Sequence, residues 1–447
     1  MKKIVIIGGV AAGTTAAARL KRLRPDFEIT LLEKSDVISY GTCELPYVID
    51  ETISEFETII SFTDESFHQQ KSVEVKLNSL VTEINPKTKT VVYQHGIYKS
   101  VHKIQYDKLL IASGASPKTI TFLDSVNSFS VKSLDSAKRL KRYLNSEKPQ
   151  HAVIIGAGLI GLELAESLTN LGIRVSIIDS ENQILFGKID STDSKRIENI
   201  LEENKVQFYK NEKVKSAVKN GFNKIEKLVF VSGLEIYPDL VLQTIGFQPN
   251  TFFKGIEEIK KNPNGAVLVN SKMETSFKDI YAAGDCAAVS RSGKESEWFP
   301  LATVASKMGR AAAASMAGIN EEYGKSFGTL AVKIFDFEIA HTGMTLKQAI
   351  AKKMDAKESR IKGSSKVAVY PNSKEITVQI VYESKSGKIL GGTIIGQEGA
   401  ALRINILSLA LQNEMTVSDL RNSDFMYTPP FSPLWDPVLI AANQAKI

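Results

Sequence analysis

Cysteine is scarce in this chain: 447 residues contain two, Cys43 and Cys286. They stand too far apart for a CxxC or CxxxxC redox pair, and two in so long a chain make no disulfide framework. An unsecreted thiol fits a reducing compartment, so a cytoplasmic location is expected. The five histidines (His68, His95, His102, His151, His341) show no metal-ligand spacing, and no metal site is expected. No apolar run reaches the roughly 18 residues that a membrane helix needs. Charge of one sign is not concentrated either. The net +6 is spread along the chain, without the Lys/Arg blocks or aromatic-interleaved basic stripes of a nucleic-acid binder. Neither a membrane nor a nucleic acid is expected as a partner. Glycine is plentiful by comparison, with 29 residues, and its placement carries information.

The apolar run Lys3-Ile4-Val5-Ile6-Ile7 leads into Gly8-Gly9-Val10-Ala11-Ala12-Gly13 and a helix-forming stretch from Thr14 to Leu23. Strand, glycine turn and helix are the context of a dinucleotide fingerprint. Gly8 permits the tight turn and Gly13 close helix–strand packing, while Ala11 and Ala12 leave room for a pyrophosphate at the helix N-terminus. Val10 stands where the strict pattern has its middle glycine. The next strand, Glu28 to Leu32, ends at Glu33, an acid placed to accept hydrogen bonds from a ribose 2′-OH. A second copy follows: His151 to Ile155, the full Gly156-Ala157-Gly158-Leu159-Ile160-Gly161, a helix from Leu162 to Leu171, and a strand Arg174 to Ile178 ending in Asp179. Asp179 would bond the 2′-OH of NADH and repel the 2′-phosphate of NADPH, and Ser180-Glu181-Asn182 supplies no cation to rescue that phosphate. One fingerprint is a weak signal; two, each with its acid, are a strong one.

Two further strands close on Gly/Pro turns, at Tyr106 to Pro117 and at Asp239 to Asn250. Ile280-Tyr281-Ala282-Ala283-Gly284-Asp285 delivers a Gly-Asp pair to a strand end, where the carboxylate can bond a ribityl hydroxyl. Cys286 beside it reads as a buried structural thiol. From about Gly324 the pattern changes to antiparallel strands (Val367–Tyr370, Ile376–Tyr382, Ile389–Gly396), a helix from Ala400 to Gln412, and a proline-rich aromatic loop from Phe425 to Pro437. Cys43 lies in Ser39-Tyr40-Gly41-Thr42-Cys43-Glu44-Leu45-Pro46-Tyr47, shortly after the first dinucleotide unit. Pro46 suits the first turn of a helix, and a helix start favours a thiolate.

Together these motifs resemble the two-dinucleotide-binding-domain flavoprotein disulfide reductases, in the single-cysteine branch of coenzyme A disulfide reductases, NADH oxidases and peroxidases, and NAD(P)H sulfur or persulfide reductases. The resemblance implies an α/β fold with two Rossmann-like dinucleotide-binding domains, glutathione-reductase-like, plus a C-terminal α+β dimerisation domain. The expected boundaries are 1–117 with 245–323 for FAD, 118–244 for NAD(P)H and 324–447 for dimerisation. It implies FAD, NADH with NADPH as an alternative, and coenzyme A as substrate or mixed-disulfide adduct. Cys43 becomes the redox-active nucleophile of a homodimer in which Tyr370 and Tyr427 reach the partner's active site. Thr15, Arg19, Arg22, Ser39, Thr42 and Lys71 match coenzyme A contacts. Val10, Lys34, Ser113, Gly114, Ile160, Gly246, Pro300, Leu301 and Ala302 join Gly8, Gly13, Glu33, Gly156, Gly158, Gly161, Asp179, Gly284 and Asp285 among the cofactor contacts. The chain departs from its relatives in having Thr42 before the cysteine and Glu44 after it, Trp435 where a basic residue sometimes assists coenzyme A, and Ala11 where peroxidases carry a histidine. The expected activity is reduction of a small disulfide, persulfide or polysulfide, coenzyme A disulfide foremost. The alternatives are an NADH oxidase working through a cysteine sulfenate and a non-catalytic FAD/NADH redox sensor.

Overall fold

A computed structural model describes residues 1–291 and 295–447. The chain forms two compact units: Met1–Lys118 with Lys132–Arg139 and Phe247–Gly324, and Thr119–Val131 with Leu140–Gly246 and Lys325–Ile447.

The first unit is built on β1 (Lys3–Ile7), α1 (Ala11–Leu23), β2 (Glu28–Leu32), α2 (Leu45–Ile49), β3 (Glu74–Lys76) and β4 (Lys108–Ile111). Its parallel sheet has the order Ile280–Ala282, β4, β1, β2, β3. Ile4 to Ile7 are all buried, as befits a strand flanked by parallel neighbours with both faces covered. The helix Ala302–Ala317 lies against α1 so closely that a Cβ on Gly309 would meet the Ala12 carbonyl at 2.3 Å. Ala12, Ala16, Ala17, Ala305 and Ala312 are buried in the same core. Small side chains allow this approach, and it brings both helix N-termini to the end of the sheet that holds the glycine turn.

The second unit repeats the plan with β5 (Ser128–Phe129), β6 (His151–Ile155), α3 (Leu159–Asn170), β7 (Arg174–Ile178), β8 (Gln207–Tyr209) and β9 (Leu240–Gln243). Its parallel sheet runs β8-β7-β6-β9-β5. The same unit contains an antiparallel sheet of β10 (Leu330–Ile334), β11 (Phe337–Gly343), β12 (Ala356–Ser364), β13 (Glu375–Glu383) and β14 (Ile389–Gly396), ordered β10-β11-β14-β13-β12, with α4 (Ala400–Gln412) packed on it. The expected strand over Val367–Tyr370 is not formed. Those residues make a turn in which the Tyr370 N–H bonds the Val367 carbonyl at 2.8 Å, and Pro371 and Asn372 (φ 61°) continue it. The edge strand is β12 instead. Its charged residues Lys357, Glu358, Arg360 and Lys362 suit an edge exposed on one side and hid it from an apolar-periodicity reading.

Candidate active site and dinucleotide sites

The two glycine turns are built alike. Gly8 has φ 103° and Gly156 φ 113°, and a Cβ at either would strike a facing carbonyl, of Ala112 at 2.2 Å or Thr244 at 2.6 Å. A Cβ on Gly13 or Gly161 would lie 1.9 or 2.1 Å from the carbonyl oxygen of Gly8 or Gly156, where each helix crosses its own turn. Gly158 differs: nothing lies within 4 Å of its missing Cβ. That position faces open space, the cradle a pyrophosphate needs. Val10 and Gly158 are the N-caps of α1 and α3; neither helix has a side-chain cap or an acid in its first turn. Ala11, Ala12 and Ile160 belong to those first turns, so their uncapped N–H groups favour an anion. The acids occupy equivalent places. Glu33 accepts from Gly9 N–H at 2.7 Å and from Ser35 N–H at 2.9 Å, and Asp179 accepts from Ala157 N–H at 2.6 Å and Glu181 N–H at 2.9 Å. Each carboxylate keeps lone pairs for a ribose. Lys34, beside Glu33, is exposed.

At the same sheet end of the first unit, a Cβ on Gly284 would sit 3.0 Å from that of Ala12 and 3.6 Å from that of Ala305, so the Gly284-Asp285 turn lies between the two helix starts. Asp285 pairs with Lys132 at 3.0 Å, and Lys132 in turn covers the Phe247 ring. Ser113 Oγ donates to the Asn250 carbonyl and Gly114 faces open space. Pro300, Leu301 and Ala302 form the entry to the helix Ala302–Ala317, which also has no side-chain cap or acid in its first turn. Glycine turn, acid and two uncapped helix ends fit an anionic dinucleotide such as FAD. In the second unit Gly246 also faces open space. Sequence reasoning missed Glu163 in α3, whose carboxyl is pushed up to about 7 by burial and by the nearby Glu166. Only its enclosure marks it, and no spacing rule reports enclosure.

Cys43 is exposed, whereas Cys286 is fully buried, its Sγ donating to the Ile111 and Ala283 carbonyls and its thiol pushed up by desolvation. Ser39 holds a left-handed φ of 51°; its N–H donates to the Gly9 carbonyl at 2.8 Å, and its carbonyl accepts from Ser61 N–H at 2.7 Å. These bonds tie the cysteine loop to the glycine turn. Tyr40 is pushed up to about 12 by burial. The helix beyond Cys43 spans only Leu45–Ile49, with Glu44 as N-cap, so its dipole acts weakly. Glu44 is exposed, but its carboxylate folds back over Gly41, where a Cβ would meet Oε2 at 2.2 Å. Thr42 is half-buried.

Of the residues matched to coenzyme A contacts, Thr15 Oγ1 lies 3.2 Å from Ser306 Oγ, and Arg22 is exposed on α1. Arg19 forms a two-pronged pair with Glu321 and donates to the Arg310 carbonyl. Lys71 sits 5.1 Å from the Phe62 ring centroid. All lie in the first unit. Tyr370 and Tyr427 lie in the second, on loops joined by Val367 N–H to the Pro429 carbonyl, and both are substantially exposed. Val369, Met426, Phe431, Leu434 and Trp435 are exposed apolar residues on the same two loops. Among the described residues, no group of three or more His, Cys, Asp or Glu side chains is arranged to hold a metal ion, and no helix is long and apolar enough to cross a membrane.

Comparison with known proteins agrees with this architecture. Residues 2–309 match the family described as pyridine nucleotide-disulphide oxidoreductase, and residues 329–437 match its dimerisation domain. A relative named NAD(P)H sulfur oxidoreductase (CoA-dependent), from Pyrococcus abyssi, is 32% identical over 451 residues, spanning 100% of this chain and 98% of its own. The coenzyme A disulfide reductase of Staphylococcus aureus (strain Mu3) is 29% identical over the whole of both chains. Among solved structures, the water-forming NADH oxidase from Lactobacillus brevis bound to NADH has a TM-score of 0.94 at 26% identity, covering 100% of this chain and 98% of that one. With its two dinucleotide-binding folds and its antiparallel C-terminal domain, the chain belongs to the pyridine nucleotide-disulphide oxidoreductase family, whose members bind FAD and NAD(P)H.

Proposed function

We propose that this enzyme reduces a small-molecule disulfide, persulfide or polysulfide with NADH, through Cys43 as the single redox-active cysteine, and that coenzyme A disulfide is the foremost substrate. The observation that carries this reading is the exposed thiol on a loop bonded to the first glycine turn, in a chain whose other thiol is wholly buried. The Cys43 thiolate attacks one sulfur of the disulfide RSSR; a Cys43–SR bond forms, the S–S bond breaks, and RS⁻ leaves and takes a proton. FAD, when bound, supplies passage of two electrons from the coenzyme to sulfur. Cleavage of Cys43–SR then returns the Cys43 thiolate and a second RSH, for a net NADH + H⁺ + RSSR giving NAD⁺ + 2 RSH. The turn at Gly8, Glu33 and Asp285 hold the flavin nucleotide; the turn at Gly156, with Asp179, holds NADH. Arg22 and Lys71 are the cations available to the phosphates of a coenzyme A substrate, and Arg19 joins them by giving up its pair with Glu321. In a homodimer, Tyr427 orients or protonates the leaving thiolate from the partner subunit, beside Tyr370.

Intact-mass measurement of the non-reduced protein, before and after dithiothreitol, tests the cycle and its carrier. A thiol-reversible adduct of coenzyme A mass on Cys43 is expected. An unmodified or sulfenate-bearing Cys43 would move the assignment to persulfide or oxygen reduction. The second reading, an NADH oxidase cycling through a Cys43 sulfenate, draws on the likeness to the Lactobacillus brevis enzyme.

A further inference from the structure

The ends of the two acid-bearing strands are stitched by the same three backbone hydrogen bonds. In the first unit Glu33 N–H donates to the Lys76 carbonyl at 3.0 Å, Asn78 N–H to Ser35 at 2.9 Å, and Ser79 N–H to Glu33 at 2.7 Å. In the second, Asp179 N–H donates to Tyr209 at 2.9 Å, Asn211 N–H to Glu181 at 3.0 Å, and Glu212 N–H to Asp179 at 2.9 Å. Both asparagines are left-handed, with φ 50° and 59°. Glu212 is therefore the counterpart of Ser79, one backbone bond from the coenzyme acid at the carboxyl end of its sheet, where ligands of such sheets bind.

The two side chains are in opposite conditions. Ser79 is buried and satisfied, its Oγ donating to the Leu77 carbonyl at 3.0 Å and lying 3.0 Å from His95 Nδ1. Glu212 is half-buried, and its Oε2 is shut off from solvent with no hydrogen-bond partner among the described residues. A buried carboxylate oxygen left in that state is costly, and turning it toward a ligand's donor relieves the cost. Among the described residues, the cations nearest it in the chain are not paired with it. Lys210 lies 3.3 Å from Glu198, Lys213 is exposed, and the neighbouring Glu181 is a further exposed acid.

We infer that Glu212 is a second specificity residue of the coenzyme site: its carboxylate accepts a donor from the adenosine half of NADH and, with Asp179, makes that end doubly anionic, so that the 2′-phosphate of NADPH is excluded. The inference rests on the assignment of the second unit to the nicotinamide coenzyme. Titration calorimetry on the full-length FAD-loaded protein, with ADP-ribose and its 2′-phosphate as probes, tests it. Glu212→Gln keeps shape and acceptor but loses the charge; it should tighten the 2′-phosphate probe about 10-fold, shift ADP-ribose by less than about 3-fold, and leave a gap between probes that depends less on salt. Glu212→Ala should weaken ADP-ribose about 5-fold or more; where that variant does not fold, the glutamine isostere carries the test alone. The preference for NADH over NADPH in kcat/KM should fall in parallel. If the wild type binds ADP-ribose and Glu212→Gln leaves both affinities unchanged, Glu212 is structural and the inference falls while the coenzyme assignment stands. If the wild type binds neither probe and its flavin is reduced by neither coenzyme, the assignment falls and takes the inference with it.

Discussion

The two dinucleotide units separate what a glycine fingerprint owes to the chain from what it owes to the ligand. Gly8 with Gly156, and Gly13 with Gly161, are forced by the protein itself, because any Cβ there would lie 1.9 to 2.6 Å from a carbonyl oxygen. The middle position is not. A Cβ at Gly158 meets nothing, and the first unit carries Val10 there with the same turn, N-cap and acid contacts. A middle glycine therefore speaks about ligand room, and its absence from the first motif does not weaken the fold.

The comparison can be broken most severely at the thiol, which the first unit has and the second lacks. Cys43→Ser should lower disulfide reduction at least about 1000-fold with FAD retained. Cys286→Ser should leave turnover within about 2-fold and cost about 1 kcal/mol of stability by placing a hydroxyl in the core. Steady-state kinetics with the absorbance of bound flavin reads both, and normal turnover by Cys43→Ser would remove its assigned role. Next in size is the glycine contrast. Gly161→Ala should destabilise the second unit by about 3 kcal/mol or more, whereas Gly158→Ala should change stability by less than about 0.5 kcal/mol and instead weaken NADH binding. Equal losses in denaturant unfolding would collapse the distinction.

The smallest effect concerns acid. His341, buried in β11, is pulled down to about 4 by desolvation from 6.5. Its neutral form stabilises the second unit above about pH 6.5; about 2 kcal/mol of that contribution is lost by about pH 5 and about 3 kcal/mol by about pH 4. In the first unit Glu321, held low by hydrogen bonds from Arg19, and Asp279, held low by Lys89, retain their stabilisation to lower pH than His341. Glu163 of the second unit, pushed up to about 7 by burial, works in the opposite sense, gaining stability as pH falls. Hydrogen exchange should therefore show the second unit gaining protection between about pH 6.5 and about pH 5 in His341→Gln and losing it in Glu163→Gln.

Both fingerprints, both acids and the helix Ala400–Gln412 were legible because each is contiguous and its chemistry repeats at short range. The turn at Val367–Tyr370 was misread because an apolar run of four residues cannot distinguish a strand from a turn held by a following proline. The Arg19–Glu321 pair joins residues 302 apart, and the conditions of Glu163 and Glu212 depend on burial. None of these leaves a local trace. Arg19 and Arg22 therefore look alike in the sequence, although in the fold one is engaged and the other exposed.

The first unit is assembled from three separate stretches of chain, and this orders its birth on the ribosome. β4 emerges early, with Leu109, Leu110 and Ile111 wholly buried in the finished fold, yet its outer neighbour, Ile280–Ala282, is about 170 residues away. The helix that covers α1 comes later still. During that interval an apolar strand edge stands open, the kind of surface on which nascent chains aggregate or recruit chaperones. The parallel sheet of the second unit has all its strands by Gln243 and can mature first, so the first glycine cradle, although it begins at residue 8, is completed among the last parts of the nucleotide-binding region.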